Sequence, residues 1–236
     1  MRKLLTFDAF NTLFYVHPNP GLIYTRVVAQ ELNLNLDPLA VQFQLASQLS
    51  QKSKSHPNFT PNPHEWWKDV VYYTLEPFVP LNILNLSFPL LFQRLFTTFA
   101  TNEPYQLYPD VQETLSILSK NTNISLGVLS NSDSRTLSIL KDFKLDSFFN
   151  FILTSHECGC MKPDSRIFHL AKEKSELKQP FTSFHVGDDL EKDVKAAENA
   201  GWIAFYLRRQ PNNDPIDFNS SAQTIKSLKE LPELLK

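Results

Sequence analysis

Four polar side chains stand where short apolar runs end or a turn begins. Asp8 follows Leu4-Leu5-Thr6-Phe7, and a carboxylate closing a buried strand is costly unless something uses it. Ser130 ends Ile124-Ser125-Leu126-Gly127-Val128-Leu129, Lys162 opens Lys162-Pro163-Asp164, and Asp188 follows Phe184-His185-Val186-Gly187. An Asp, Ser, Lys, Gly-Asp series of this kind reads as a phosphoryl-transfer or hydrolase site. Phe10 breaks the pattern, because a second acid is expected two residues after Asp8. A turn or a helix cap explains any one of these residues taken singly. Three of them at strand ends point to one crevice, since ligands of open parallel sheets bind beyond the carboxyl ends of the strands.

The elements that must position them follow from the periodicity. Strand-like segments are Lys3–Phe7, Ile124–Leu129, Phe151–Thr154, Ser183–Gly187 and Ile203–Leu207. After the first, helical periods separate them: Pro109-Asp110 opening Val111, Leu115 and Leu118, then Arg135–Phe143, Pro163–Ser175 and Leu190–Ala200. Asp110 and Glu113 have capping-box spacing. Alternating strands and helices predict an α/β fold, a parallel, Rossmann-like sheet core with helices on both faces. Residues 16–105 break the rhythm with four helical patterns: Ile23/Val27, Leu39/Phe43/Ala46/Leu49, Trp66/Val70/Tyr73 and Leu91/Leu95/Phe99. Asp37-Pro38 and Asn62-Pro63 place cap residues before a first-turn proline, and Glu65 completes an Asn-x-x-Glu box. The division expected is a core of residues 1–15 and 106–236 with an inserted α-helical cap of residues 16–105. Gln51–Pro63, rich in Ser, Pro and Asn, is the expected flexible part of the cap.

Composition bounds the function classes. The 236 residues are 42% hydrophobic and 20% charged, with 23 basic and 25 acidic side chains and a net charge of −2. Without a basic block, neither nucleic acid nor an anionic membrane is an expected partner. The apolar run before Asp8 is too short for a signal-peptide core, and nothing approaches a membrane span. Cys158 and Cys160 form a single C-x-C, too little for a cysteine zinc site and too close for an unstrained disulfide. A reducing intracellular compartment, the cytoplasm or the nucleus, is expected.

These residues resemble the haloacid dehalogenase-like hydrolase superfamily. Asp8 and Thr12 match its first motif, Asp-x-Asp-x-Thr/Val, and Ser130 its strand-terminal Ser or Thr. Met161-Lys162-Pro163-Asp164 matches the third motif, and Gly187-Asp188-Asp189-Leu190-Glu191-Lys192-Asp193 the fourth. The residues 7–13, Trp66-Trp67 and Phe151–Ser155 look most like the eukaryotic third type of hydrolase-domain-containing protein in that superfamily.

The resemblance implies Asp8 as a nucleophile forming an aspartyl-phosphate, which divides hydrolysis into two easier steps. It implies Mg²⁺ held by Asp8, the backbone carbonyl of Phe10 and Asp188, with Asp193, and less firmly Asp189, orienting the metal's waters. Lys162 would neutralise the nucleophile and the transferring oxygens, and Ser130 would hydrogen-bond one of them. Thr12 and Asn131 are expected at the substrate, a small phosphorylated molecule. Simpler readings exist for some residues. Ser130 shares a capping position with Asn131 and Ser132; Asp189, Glu191 and Lys192 suit a solvated first helical turn; His156 and His185 suit packing or the surface.

In superfamily phosphatases the acid at the position of Phe10 protonates the leaving group, help worth about 10²–10⁴-fold. A weak Mg²⁺-dependent phosphatase is therefore the reading of the sequence. The alternatives are a catalytically degenerate binding or regulatory protein and a metal-independent 2-haloacid dehalogenase. Asp188 and Asp193 argue against the dehalogenase, which also needs a cap arginine where only Arg26 and Arg94 are on offer.

Overall fold

A computed structural model describes residues 2–178, 180–209 and 221–236. The chain forms two compact units, Met1–Tyr15 with Leu107–Lys236 and Val16–Gln106. In chain order the strands are β1 (Arg2–Phe7), β2 (Phe14–Val16), β3 (Tyr105–Leu107), β4 (Ile124–Ser130), β5 (Phe151–Thr154), β6 (Phe181–Gly187), β7 (Ile203–Leu207) and β8 (Gln223–Ile225). Six of them make one sheet in the order β5-β4-β1-β6-β7-β8, while β2 and β3 form a separate ribbon. Every neighbouring pair in the large sheet is parallel, with helices on both sides.

The strands read as near-continuous apolar runs because both faces are covered. All seven residues of β4 are buried. Gly127 is required there: a Cβ would lie 2.3 Å from the Phe151 ring on β5. The chain leaves β1 towards β4 on one side, and leaves β6 towards β7 on the other. Between β1 and β6 the connections therefore diverge, which opens a crevice at their carboxyl ends.

Helices α1 (Pro20–Leu32), α2 (Pro38–Ser55), α3 (Pro63–Leu75) and α4 (Leu81–Thr98) make up the second unit. Its own core includes Val28, Val41, Leu75, Leu84 and Leu91, all essentially inaccessible to solvent. Asn19, Asp37 and Asn62 each precede a first-turn proline and accept from Leu22 N, Leu39 N and Glu65 N. Side-chain acceptors there satisfy amides that no helical carbonyl can reach.

The sheet unit adds α5 (Val111–Ser119), α6 (Arg135–Asp142), α7 (Ser155–Cys158), α8 (Arg166–Lys174), α9 (Ala196–Asn199) and α10 (Leu231–Leu234).

Several elements depart from the sequence expectations. Strand β8 was not anticipated: of its three residues only Ile225 is buried, too little for a period-two signal. On α2, Val41 and Leu45 face the core, whereas Leu39 and Phe43 are 75% and 79% exposed. That helix has apolar residues on more than one face, so periodicity alone selects the wrong stripe. Asp110 does not cap α5; its carboxylate accepts instead from Arg209 Nη1, Ser227 Oγ and Leu228 N at 2.9, 2.7 and 2.8 Å. The segment Gln51–Pro63 is helical to Ser55, and beyond it Trp66 Nε1 donates to His56 O at 2.8 Å while Phe59 packs on Trp66. The helix expected over Leu190–Ala200 opens as a π-helical turn, Leu190–Lys195, before α9.

Candidate active site at the carboxyl ends of the central strands

β1 delivers Asp8 to the crevice. Its amide still donates to Val186 O at 2.8 Å, which extends the ladder with β6 by one residue. The chain then turns sharply. Leu13 N and Phe14 N both donate to Ala9 O at 2.8 and 3.3 Å, with Asn11 left-handed at φ 58°. Asparagine tolerates that conformation better than most residues. Phe10 comes out of this turn with its ring edge-on to Phe14, centroids 4.9 Å apart.

Lys162 reaches the same point from the loop between α7 and α8. Asn131, directly after β4, clasps its backbone: Asn131 Nδ2 donates to Lys162 O and Lys162 N donates to Asn131 Oδ1, both at 2.8 Å. The ammonium then donates to Asp8 Oδ1 and to Asp193 Oδ1, each at 2.6 Å. The lysine is 2% exposed, a burial tolerable only because two carboxylates meet it.

Asp193 is held on every side. The π-helical turn folds it back so that its Oδ2 accepts from Asp189 N at 3.0 Å. This approach needs Gly187, where a Cβ would stand 2.2 Å from the Asp193 carboxyl. On the other flank His185 Nε2 lies 3.2 Å from Asp193 Oδ1, and its Nδ1 lies 2.8 Å from Thr6 Oγ1. Because Asp193 is an acceptor, Nε2 carries the proton. A buried chain thus runs from Thr6 through His185, Asp193 and Lys162 to Asp8.

The charges are unevenly balanced. Burial pushes the Asp8 carboxyl up to about 7, partly offset by Lys162. Burial and the neighbouring acids Asp193 and Asp189 push Asp188 up to about 6. Burial alone would raise Asp193, but Lys162 and His185 hold it well below the usual carboxylate range. Burial would likewise lower Lys162, yet Asp193 and Asp8 keep it above the ordinary lysine value. Burial pushes His185 down, against the pull of Asp193. The compensated pair is therefore Lys162 with Asp193, while Asp8 and Asp188 are short of positive charge.

A crevice of about 240 Å³ is lined by Asp8, Phe10, Ser130, Lys162, Asp188 and Asp193 among others. One carboxylate oxygen from each of Asp8, Asp188 and Asp193 lies within 4.8 Å of the other two, a group able to hold a cation. Such an all-oxygen donor set suits a hard divalent ion. Asp189 stands apart: its carboxylate accepts from Glu191 N and Lys192 N at 3.0 and 2.9 Å. Two expectations change. Thr12 is fully buried and its carbonyl accepts from Arg209 Nη2 at 2.6 Å, so its side chain is not offered to a substrate. Asn131 lines the crevice, but its amide is engaged with the Lys162 backbone. His185, read from sequence as a packed or surface residue, belongs to the buried chain. The only sequence signal was its place in the strand before Gly187-Asp188.

Residues 2–201 match the profile of haloacid dehalogenase-like hydrolases. The chain belongs to this family. It is 30% identical over 218 residues to haloacid dehalogenase-like hydrolase domain-containing protein 3 of Bos taurus, covering 90% of this chain and 84% of that one. A 2-haloacid dehalogenase structure from Pseudomonas syringae is 25% identical, with a TM-score of 0.70 over 100% of this chain and 98% of the other. A phosphatase structure from Thermococcus onnurineus matches at TM-score 0.68 with 20% identity, over 100% and 98%. The haloacid dehalogenase-like fold thus carries both chemistries, and the choice between them rests on the site.

Proposed function

We propose that this haloacid dehalogenase-like hydrolase is a Mg²⁺-dependent phosphatase of small phosphorylated molecules whose leaving groups depart without a proton. The observation that carries the reading is Asp188 in the crevice beside Asp8, with no ion pair of its own among the described residues. The crevice is lined by four aspartates and two lysines, a setting hostile to a phosphate dianion unless a cation is present. Asp8, the Phe10 carbonyl and Asp188 would hold Mg²⁺, with Asp193 behind them. The ion supplies positive charge against the phosphoryl oxygens.

Lys162 binds Asp8 Oδ1 and leaves Oδ2 for attack. The Asp8 oxygen–phosphorus bond forms as the bond to the leaving oxygen breaks. Ser130 donates to one phosphoryl oxygen, and Lys162 stays charged throughout. Water then attacks phosphorus as the Asp8 oxygen–phosphorus bond breaks, and the proton that the water sheds leaves on the phosphate. Phe10 presents an apolar ring where a proton donor is needed, which restricts useful substrates to acyl phosphates and activated esters. Asp188, costly to bury without a counter-ion, disfavours the metal-independent dehalogenase reading.

Mg²⁺ titration should raise the melting temperature by about 2–5 °C at roughly tenfold excess over Kd. Asp8 and Asp188 take up protons as pH falls through about 7 and about 6, and protons compete with the ion for the same oxygens. The shift should therefore grow as pH rises through that window. Without Mg²⁺ the sign reverses: both groups titrate above the ordinary carboxylate value of 3.8, the folded state holds the extra protons, and their contribution to stability declines from about pH 4 to 7. Asp188→Asn should remove the Mg²⁺ response. A melting curve indifferent to Mg²⁺ at every pH would sink the metal assignment.

Phe10→Asp should raise turnover of an unactivated alkyl phosphate about tenfold or more, out of the 10²–10⁴ that such an acid contributes. Its cost includes the Phe14 ring contact, about 1 kcal/mol, and a further carboxylate in an acidic crevice. The wild type should favour acetyl phosphate strongly over alkyl phosphates. If a folded, Mg²⁺-responsive Phe10→Asp protein gains nothing on any ester, the catalytically degenerate binding protein becomes the better reading.

A further inference from the structure

Ser130 is linked to two hydroxyls that play no part in the chemistry above. Ser132 Oγ donates to Ser130 Oγ at 2.9 Å, and Thr136 Oγ1 on α6 donates to Ser132 Oγ at 2.7 Å. All three residues are buried, at 1%, 8% and 1% exposure for Ser130, Ser132 and Thr136. Among the described residues their side chains have no other partners. The loop is also anchored from behind, where Ser132 O accepts from Ser155 Oγ at 3.2 Å and His156 N at 3.1 Å.

A row of three hydroxyls can order its protons in two directions. Run from Ser130 towards Thr136, it would end with the Thr136 proton buried and unmatched, an arrangement that costs the full desolvation of that donor. Run from Thr136 towards Ser130, every internal proton finds an acceptor, and the last one belongs to Ser130. Only Ser130 of the three lines the crevice. The favoured direction therefore delivers a donor into the crevice, and each link polarises the next.

We infer that Ser132 and Thr136 are positioning residues that hold the Ser130 hydroxyl as a fixed donor into the crevice, selecting an acceptor-only oxygen such as that of an ionised phosphoryl group. This rests on the phosphatase reading and adds to it a reason for Ser130's polarity. Without the relay Ser130 could turn its proton inwards and meet an anion with its lone pairs.

The test is calorimetric titration of inorganic orthophosphate into the Mg²⁺-supplemented full chain, alongside kcat and KM on acetyl phosphate. Thr136→Val removes the hydroxyl at nearly constant shape, and Thr136→Ser returns it. Ser132→Ala and Thr136→Val should each weaken orthophosphate binding about three- to tenfold, with the fold and the Mg²⁺ response retained. Thr136→Ser should stay within about twofold of wild type. The deciding comparison is a double-mutant cycle. If the relay acts through Ser130, adding Ser132→Ala to Ser130→Ala should weaken binding no further. Additive losses, or a Thr136→Ser protein as weak as Thr136→Val, would overturn the relay and leave the phosphatase reading standing. If Ser130→Ala itself changes neither binding nor turnover, the phosphatase role of Ser130 fails and the relay falls with it.

Discussion

Asp8→Asn should abolish turnover of acetyl phosphate, by at least about 10⁴-fold, while the protein stays folded. The amide matches the carboxyl in shape, and its Oδ1 can still accept from Lys162, which lies 2.6 Å from Asp8 Oδ1 in the native site. What it lacks is a nucleophilic oxygen. The native protein, quenched with acid during turnover, should carry a phosphoryl group on the peptide containing Asp8; the variant should carry none. Because burial holds the Asp8 carboxyl up at about 7, ionising it in metal-free protein works against folding. The variant should therefore melt close to the native protein in chelator and lose the native rise of stability with Mg²⁺. Undiminished turnover in a folded Asp8→Asn protein would remove covalent catalysis at this position and the mechanism built on it.

Lys162→Met should have the largest effect on stability. The ammonium joins Asp8 and Asp193 at 2.6 Å each and is itself buried. Removing it leaves two carboxylates facing one another, and breaking a buried pair in this way costs about 3–5 kcal/mol. The pH dependence has a definite sign. Lys162 holds Asp193 below its ordinary range, so Asp193 stabilises the native fold above the unfolded carboxylate value and loses that contribution as pH falls. In the variant both acids take up protons more readily, so the difference from the native protein should be greatest near neutral pH and shrink towards pH 4. Denaturant unfolding in chelator at several pH values measures this. A constant difference across that range would mean that the lysine acts by packing alone. Lys162→Arg is the contrasting variant: it keeps the charge, but its planar fork does not replace a point ammonium between two oxygens.

The legibility of this protein in its sequence follows the range of the forces involved. Alternation of apolar runs with helical periods indicated an α/β fold with a parallel sheet, because burial on both faces leaves a one-dimensional mark on each strand. Phe151–Thr154 and Ile203–Leu207 occupy their predicted limits, and β1, β4 and β6 exceed theirs by one or two residues. The residues that meet in the crevice were also legible. Asp8, Ser130 and Asp188 each end a strand, and neighbouring parallel strands end together.

What the sequence could not carry was the use each side chain finds. Asp110 has the spacing of a helix cap, but its carboxylate goes to Arg209 and Ser227, partners about a hundred residues away. Leu39 and Phe43 have the spacing of a core stripe, but Val41 and Leu45 fill the core.

By itself, then, the sequence determined the family, the sheet and which polar residues gather at its central strand ends, because local periodicity and the closing residue of each strand suffice for that. Only the tertiary structure decided that Asn131 clasps Lys162, that Lys162 is divided between Asp8 and Asp193, and that His185, Ser132 and Thr136 stand behind the site. Hydrogen bonds and buried charges act over a few ångströms in space between residues far apart in the chain, and that proximity leaves no period in the sequence.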